Sequence, residues 1–455
     1  MNNIKVETFS PNAGEFLGVY LSFKDLEGTK RKVKLKVDFR ELYHFLRSDT
    51  SIHVDFFLIG SIVYGVDCLL KRYFYSYDGW SREIQVNIPV SNKDKWGDKT
   101  DEINELLQFL TGDLWNIEFS DLNQLKVYQK RKRDKANPKY SYKKYVAVSL
   151  FSGGLDSLAG IVDKVSSLKK GQKILLASHY DSSSGGPKKD QKMLYSELKK
   201  LYSDKIDWIQ SQVSISRMDR KGSKVETENS YRSRSLLFIS IANLLLSECS
   251  NAIELLVPEN GSISLNHPLT KSRSSTLSTR TTHPHYLANL QSILNDLGID
   301  VNIDNPFSFK TKGEVLAKSK NIKDLRKLYE KSVSCGKRGH RRYWDVDTGT
   351  DHCGVCMPCI YRRAGLHKIN LDNQLYGTDI LKKAKHPKDF PDLLALLEFL
   401  NADFSKEDIM SSLLINGSLP LNNLDDYADL VQRTIDEVKK WINDKGNNDL
   451  KNLLN

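Results

Sequence analysis

The amino-acid sequence predicts an α/β protein: a doubly wound parallel sheet, preceded by an N-terminal α+β domain and followed by a helical C-terminal extension. Three observations carry this reading. From residue 145 onward, short apolar runs alternate with helix-length stretches, the pattern of a parallel sheet with helices on both faces. The first of these runs ends in Ser152-Gly153-Gly154, a turn that leads into the apolar helix LAGIV. Before residue 145 the runs are short and β-like, whereas beyond residue 371 the pattern is helical.

Bulk properties set the frame. The chain has 455 residues, enough for two or three domains. Hydrophobic residues make up 39% and charged residues 27%, as in ordinary globular proteins. No apolar stretch reads as a membrane span, and MNNIKVETFS lacks the charged-then-apolar pattern of a leader, so a cytoplasmic protein with no membrane contact is expected. The net charge of +11 permits nucleic acid, nucleotides or acidic proteins as partners and selects none of them. Six cysteines are too few for a disulfide framework, and four of them cluster.

Residues 1–125 form the N-terminal α+β domain. β-like runs lie at 16–23, 32–37, 52–62 and 83–90, and a helix at 100–112 has Leu106, Leu107 and Leu110 on one face. Asp67 and Cys68 read as structural, and this block carries no catalytic motif. Residues 126–144 hold nine Lys/Arg and almost no aliphatic side chains, so they read as a solvated basic linker. The alternative is a nucleic-acid contact in which Tyr128, Tyr140 and Tyr142 stack on bases. Residues 145–370 form the principal domain. Its strands are expected at 145–151, 173–179, 208–215, 252–257 and 300–303, and its helices at 157–168, 188–202, 229–249 and 284–297. Residues 371–455 are helical, as at 425–442, where Leu430, Val431, Ile435, Val438 and Ile442 recur at helical spacing. The tail GNNDLKNLLN is expected to be loosely held.

The chemistry gathers at a few places. A buried strand, a glycine turn and a helix N-terminus make an anion site, with Asp156 and Ser157 at the N-cap and first turn. The spacing is too short for a Walker A loop. The SGG turn suits pyrophosphate held by backbone N–H groups and the hydroxyls of Ser152 and Ser157, with Asp156 a candidate Mg²⁺ ligand. The plainer alternative is a βα turn with an Asp/Ser cap. Cys335, Cys353, Cys356 and Cys359 suit one closed tetrahedral zinc site, with an iron–sulfur cluster as the alternative. Cys68 and Cys249 read as buried thiols. Arg232 and Arg234 stand at a helix start, where the dipole disfavours cations, so they are candidates to face a phosphate or carboxylate. Pro258-Glu259-Asn260-Gly261 follows a strand and should share the sheet edge of the SGG turn, and Lys310 and Lys312 are candidate phosphate contacts. His179, His283 and His285 are candidates for acid–base work, although lone histidines are more often structural.

On the SGGLDS turn and the four cysteines, in this order, residues 145–368 resemble the PP-loop (HUP-like) ATP pyrophosphatase superfamily. Within it they resemble the QueC (7-cyano-7-deazaguanine synthase) family. The motif cysteines fall at Cys353-Gly354-Val355-Cys356-Met357-Pro358-Cys359 with Cys335 upstream. The family's Arg-Asn pair corresponds to Arg234 and Ser235, and Leu158 stands where the family has Thr. The resemblance implies ATP bound at Phe151, Ser152, Gly153, Gly154, Leu155, Asp156 and Ser157, with Arg232 and Lys312 as further contacts. It implies catalytic roles for Asp156, Ser157 and Arg234, and Mg²⁺ and Zn²⁺ as metals. The implied reaction adenylates the carboxylate of 7-carboxy-7-deazaguanine with release of pyrophosphate. Ammonia then gives an amide, and a second adenylation with loss of water gives the nitrile. The added N-terminal domain, basic linker and helical extension resemble the QueC-like proteins of bacterial anti-phage islands, such as the Qat system and certain CBASS operons. That implies a partner protein from the same operon, whose amine receives the activated base. The competing expectations are a tRNA-modifying PP-loop ligase or thiolase, and a non-catalytic nucleotide-binding scaffold.

Overall fold

YVAVSL has no polar side to turn to water, and it lies inside a sheet. The computed structural model describes residues 2–46, 51–123, 126–130, 140–182, 185–267, 280–383 and 390–454. Its strands are β1 (Asn2–Phe9), β2 (Gly18–Lys24), β3 (Lys30–Asp38), β4 (Glu83–Val90), β5 (Leu114–Asp121), β6 (Tyr145–Leu150), β7 (Lys173–Tyr180), β8 (Ile206–Asp219), β9 (Glu254–Leu256) and β10 (Asn302–Asp304). All ten join in one sheet of order β10-β9-β6-β7-β8-β3-β2-β1-β4-β5. Strands β10, β9, β6, β7 and β8 are mutually parallel. From β6 the chain adds strands first on one side (β7, β8) and then on the other (β9, β10). The gap between the carboxyl ends of β6 and β9 is therefore a topological switch point, the ligand crevice of such sheets.

The parallel half is doubly wound, as expected. Ala147, Ile174, Leu176 and Ile206 share a core with the helices Leu155–Ser166 and Pro187–Leu201. Val148, Leu175, Ala177 and Ile209 face the opposite core with the helices Arg234–Leu246 and Pro284–Asp296. The extension forms a third cluster, in which the helix Leu424–Lys445 packs on the helix Met357–Lys368.

The N-terminal block does not build a sheet of its own. β8 is long enough to run beyond β7, and its free edge pairs antiparallel with β3 through Leu35↔Ile215 and Val37↔Val213. The run 52–62, expected as a strand, is part of the helix Ile52–Leu69. Its residues are apolar on every side because it is enclosed on every side. A Cβ at Gly60 would meet Ser240, and one at Gly65 would meet Leu35 and Leu21. Periodicity cannot separate such a helix from a buried strand. This helix is long and apolar enough to cross a membrane by length and composition, yet 89% of it is buried inside the fold. β1 and β5 were missed although they alternate, with Ile4 and Val6 between Asn3, Lys5 and Glu7, and Trp115, Ile117 and Phe119 between Asn116, Glu118 and Ser120: each presents only two or three apolar residues at alternate positions, too few to stand out as an apolar run.

The linker reading changes as well. Val127 and Tyr128 are buried, Leu17 N–H donates to Val127 O (2.6 Å), and the Tyr128 ring lies 4.4 Å from that of Tyr43. Tyr140 and Tyr142 pack on Phe45, each at 4.9 Å, and the Tyr142 hydroxyl donates to Phe45 O. Tyr128 is therefore not presented to a base, and Tyr140 and Tyr142 are half-buried against Phe45. The most basic part of the linker, 131–139, lies outside the described residues. The tail is docked rather than loose: Asn447 N–H donates to Leu381 O, and Leu450 is fully buried.

Candidate active site

The helix Leu155–Ser166 begins with Gly154, not Asp156, at its N-cap, so Asp156 and Ser157 fall inside the first turn. Gly153 adopts φ +86°, a left-handed conformation that suits glycine. Ser152 Oγ accepts from Gly154 N–H (3.2 Å) and lies 3.2 Å from Ser157 Oγ, which donates to Gly154 O (2.9 Å). A strap from the cysteine region closes over the turn. Val333 N–H donates to Gly153 O (2.8 Å), and Ser334 Oγ accepts from Leu155 N–H (3.1 Å). The turn thus presents two hydroxyls and a helix N-terminus at the switch point, a cradle for phosphate.

Across the switch point, Asn260 and Glu259 follow β9. Asn260 Nδ2 donates to Asp156 Oδ2 (3.2 Å) and to Glu259 Oε1 (3.1 Å), and Lys312 Nζ donates to Asp156 Oδ2. Burial alone would raise the pKa of Asp156, but the Lys312 ammonium outweighs it and holds the carboxyl below its usual range. Glu259 moves the other way: burial first, then the adjacent Asp156 charge, push it well above the usual carboxylate range. Asp156 Oδ1 is buried with no hydrogen-bond partner among the described residues. An orphaned carboxylate oxygen beside a second carboxyl that resists ionisation is a hard-oxygen donor set, and it fits Mg²⁺ held against phosphates. Such an ion would be bound by Asp156 and Glu259.

Lys312 is positioned from three sides. Thr311 caps its short helix Lys312–Ala317 in a capping box with Glu314. The aliphatic stem of Lys312 lies against Gly365, where a Cβ would come within 2.7 Å. Glu437 of the extension accepts from Gly313 N–H (2.8 Å) and from Thr311 Oγ1 (2.6 Å).

The cysteines converge. The sulfurs of Cys335, Cys353, Cys356 and Cys359 lie within 4.8 Å of one another, and Cys353 Sγ and Cys359 Sγ are 3.8 Å apart. Zn–S bonds of about 2.3 Å in a tetrahedron give an edge of about 3.8 Å. Four sulfurs this close surround one ion rather than a multi-iron core. Cys353 Sγ also accepts from the N–H groups of Val355 (3.4 Å) and Cys356 (3.3 Å), which stabilise thiolate charge. The site fits zinc in a structural role. Arg362, on the helix Met357–Lys368 that carries Cys359, donates to Tyr329 O (2.8 Å) and Ser332 Oγ (2.9 Å). That joins the cluster to the strap over the SGG turn.

Other expected residues distribute unevenly. The side chains of Phe151 and Leu155 are core, so only their backbone borders the turn. Arg232 does not face the turn: its guanidinium stacks 4.0 Å from the Trp80 ring and donates to Thr111 O, which docks the N-terminal block. Arg234 is half-buried near Phe238 and His179, and its Nε is buried without a partner among the described residues. Lys310 lies over Phe307, 5.2 Å from the ring centre. His179 and His283 are buried and pushed down to about 3 by that burial, so both are neutral structural groups. Sequence reasoning missed Ser334, Glu437 and Gln191, which packs against Gly153. Each comes from a distant stretch with no motif around it.

Residues 146–370 match the family described as queuosine biosynthesis protein QueC. No curated protein matches the chain significantly. The matched segment spans the SGG turn, Glu259, Lys312 and all four clustered cysteines. Through residues 146–370 the chain is a QueC-like protein of the PP-loop ATP pyrophosphatase superfamily, and the QueC family it resembles comprises ATP-dependent, ligase-type enzymes of deazaguanine-type substrates.

Proposed function

We propose that the chain adenylates the carboxylate of a 7-carboxy-7-deazaguanine-like base and transfers the acyl group to an amine. The observation that carries this reading is the Asp156–Glu259–Lys312 cluster beneath the SGG turn at the switch point. A carboxylate oxygen of the base attacks the α-phosphorus of ATP, and pyrophosphate leaves from the turn. The amine then attacks the acyl carbon, loses a proton, and expels AMP to give an amide. The chain's part is to hold the reactants and offset charge. Ser152, Ser157 and backbone N–H groups of the turn hold pyrophosphate, Lys312 offsets the phosphate charge, and Arg234 faces the substrate carboxylate or the α-phosphate. Bound Mg²⁺ supplies further charge neutralisation at the phosphate oxygens.

The blocks outside residues 146–370 support a protein acceptor, because they add surface beside the site that the adenylation chemistry does not need. In this reading the acceptor is an amine of a partner encoded in the same anti-phage operon, and the reaction stops at the amide. ATP–pyrophosphate exchange tests the first half. Exchange that requires 7-carboxy-7-deazaguanine is expected, while exchange that requires RNA instead would indicate a nucleic-acid-modifying ligase. No exchange with either would indicate a nucleotide-binding scaffold. Intact mass of the co-expressed partner tests the second half, and an unmodified partner beside active enzyme would overturn it.

A further inference from the structure

The N-terminal half of the sheet has one face covered and one face open. Val19, Leu21, Val33, Leu35, Ile84, Val86 and the alternate residues of β5 point into the core under the helix Ile52–Leu69. Their neighbours point to the opposite face and keep solvent contact. On the parallel half this second face is covered by the helix Pro187–Leu201, where Gln210 Nε2 donates to Gln191 Oε1 (2.6 Å). The cover ends at β8.

The open face carries a ladder of cations. Lys30, Lys32, Lys34 and Lys36 alternate along β3, so successive lysine side chains leave the strand about 6.8 Å apart. Lys24 of β2 stands directly opposite Lys30, and Lys5 of β1 opposite Ser22. Against these six lysines, β1–β3 place only Glu7 and Asp38 on this face. Glu7 is engaged by Lys32. No ion pair is formed by Lys5, Lys34 or Lys36 among the described residues. Lysines often guard sheet edges, but β3 is an interior strand flanked by β8 and β2. Like charges stacked on one face weaken the isolated fold, so folding stability does not account for the ladder. At its end Phe9 and Tyr20 meet edge to face at 5.5 Å, and Phe9 is 44% exposed.

The ladder leads to the active site. Lys36 pairs with Ser214, whose hydroxyl lies 3.3 Å from that of Ser182, just after β7. Beside it Lys188 lies over Tyr180 at 4.5 Å, at the start of the helix that holds Gln191 against Gly153.

We propose that this open face binds single-stranded nucleic acid. A backbone with a charge at every repeat matches the lysine ladder, and an unstacked base matches the exposed Phe9 ring. An acidic protein segment would match only the charge. Fluorescence anisotropy with the full chain tests this, using labelled single-stranded RNA and DNA, a duplex, and polyglutamate as competitor. Single strands are expected to bind more tightly than the duplex. Lys34→Glu/Lys36→Glu should weaken binding at least about tenfold and reduce the log–log salt slope by roughly 1.4. Its melting temperature should equal or exceed that of the wild type, because the like-charge ladder is relieved, and Lys34→Gln/Lys36→Gln replaces it if charge reversal destabilises the fold. No binding of either single strand at moderate salt, unchanged binding by the lysine variants, or displacement of the oligonucleotide by equimolar polyglutamate would each overturn the proposal.

Discussion

Replacing Glu437 with alanine tests how the extension supports the active site. Glu437 lies outside the matched segment 146–370, yet its carboxylate accepts from Gly313 N–H at 2.8 Å and Thr311 Oγ1 at 2.6 Å. These groups flank Lys312, whose ammonium contacts Asp156. Hydrogen bonds to a charged group contribute about 1.5–3 kcal/mol each. Water can enter the space left by the side chain, so a net loss of about 2 kcal/mol is expected. For a chain of this size that lowers the melting temperature by a few degrees. The larger effect is on turnover, because a displacement of about 1 Å at a reacting group costs on the order of 100-fold. Exchange assays at saturating ATP should therefore show kcat reduced about 10- to 100-fold, and Glu437→Gln, which keeps one acceptor, should fall between. A Glu437→Ala enzyme with lowered stability but kcat within about twofold of wild type would refute the positioning argument.

The two arginines should separate cleanly. Arg232→Ala removes the stacking on Trp80 and should cost about 2 kcal/mol of stability with little change in kcat, whereas Arg234→Ala should reduce kcat by roughly 100-fold at nearly constant melting temperature. Removing the metal by chelation, or replacing Cys356 with serine, should free the strap at Val333 and Ser334, raise KM for ATP and open this segment to protease; zinc content and limited proteolysis read both effects. Asp67 is fully buried, and although burial would raise its pKa, Arg82 and Arg72 hold it down at about 2. Its folded value lies below the unfolded one, so its contribution of about 2 kcal/mol is present above about pH 4 and is lost as pH falls toward 2. Denaturant midpoints across that range should fall more steeply for the wild type than for Asp67→Asn, which should already be less stable at neutral pH.

Local patterns were legible wherever a residue's neighbours in sequence are also its neighbours in space. The strand, SGG turn and helix at 145–166 are such a case, and so is the close trio Cys353, Cys356 and Cys359. The helix 52–69 was misread because its burial comes from both sides at once, which erases the one-sided stripe that marks a surface helix. Arg232 and Arg234 sit two positions apart, and only the packing of Trp80 and Thr111 against one of them separates a docking residue from a candidate catalytic one.

The sequence by itself determined the α/β class, the anion-binding turn and the four thiolates, because each rests on local geometry or on residue chemistry. Tertiary structure decided that the N-terminal strands extend the same sheet, and that Glu259 and Lys312 meet Asp156 across the switch point. It also decided that Glu437, far along the chain, holds the helix that carries Lys312. These contacts join residues more than a hundred positions apart. Only the folded sheet brings such residues within hydrogen-bond reach, so no local periodicity or spacing encodes them.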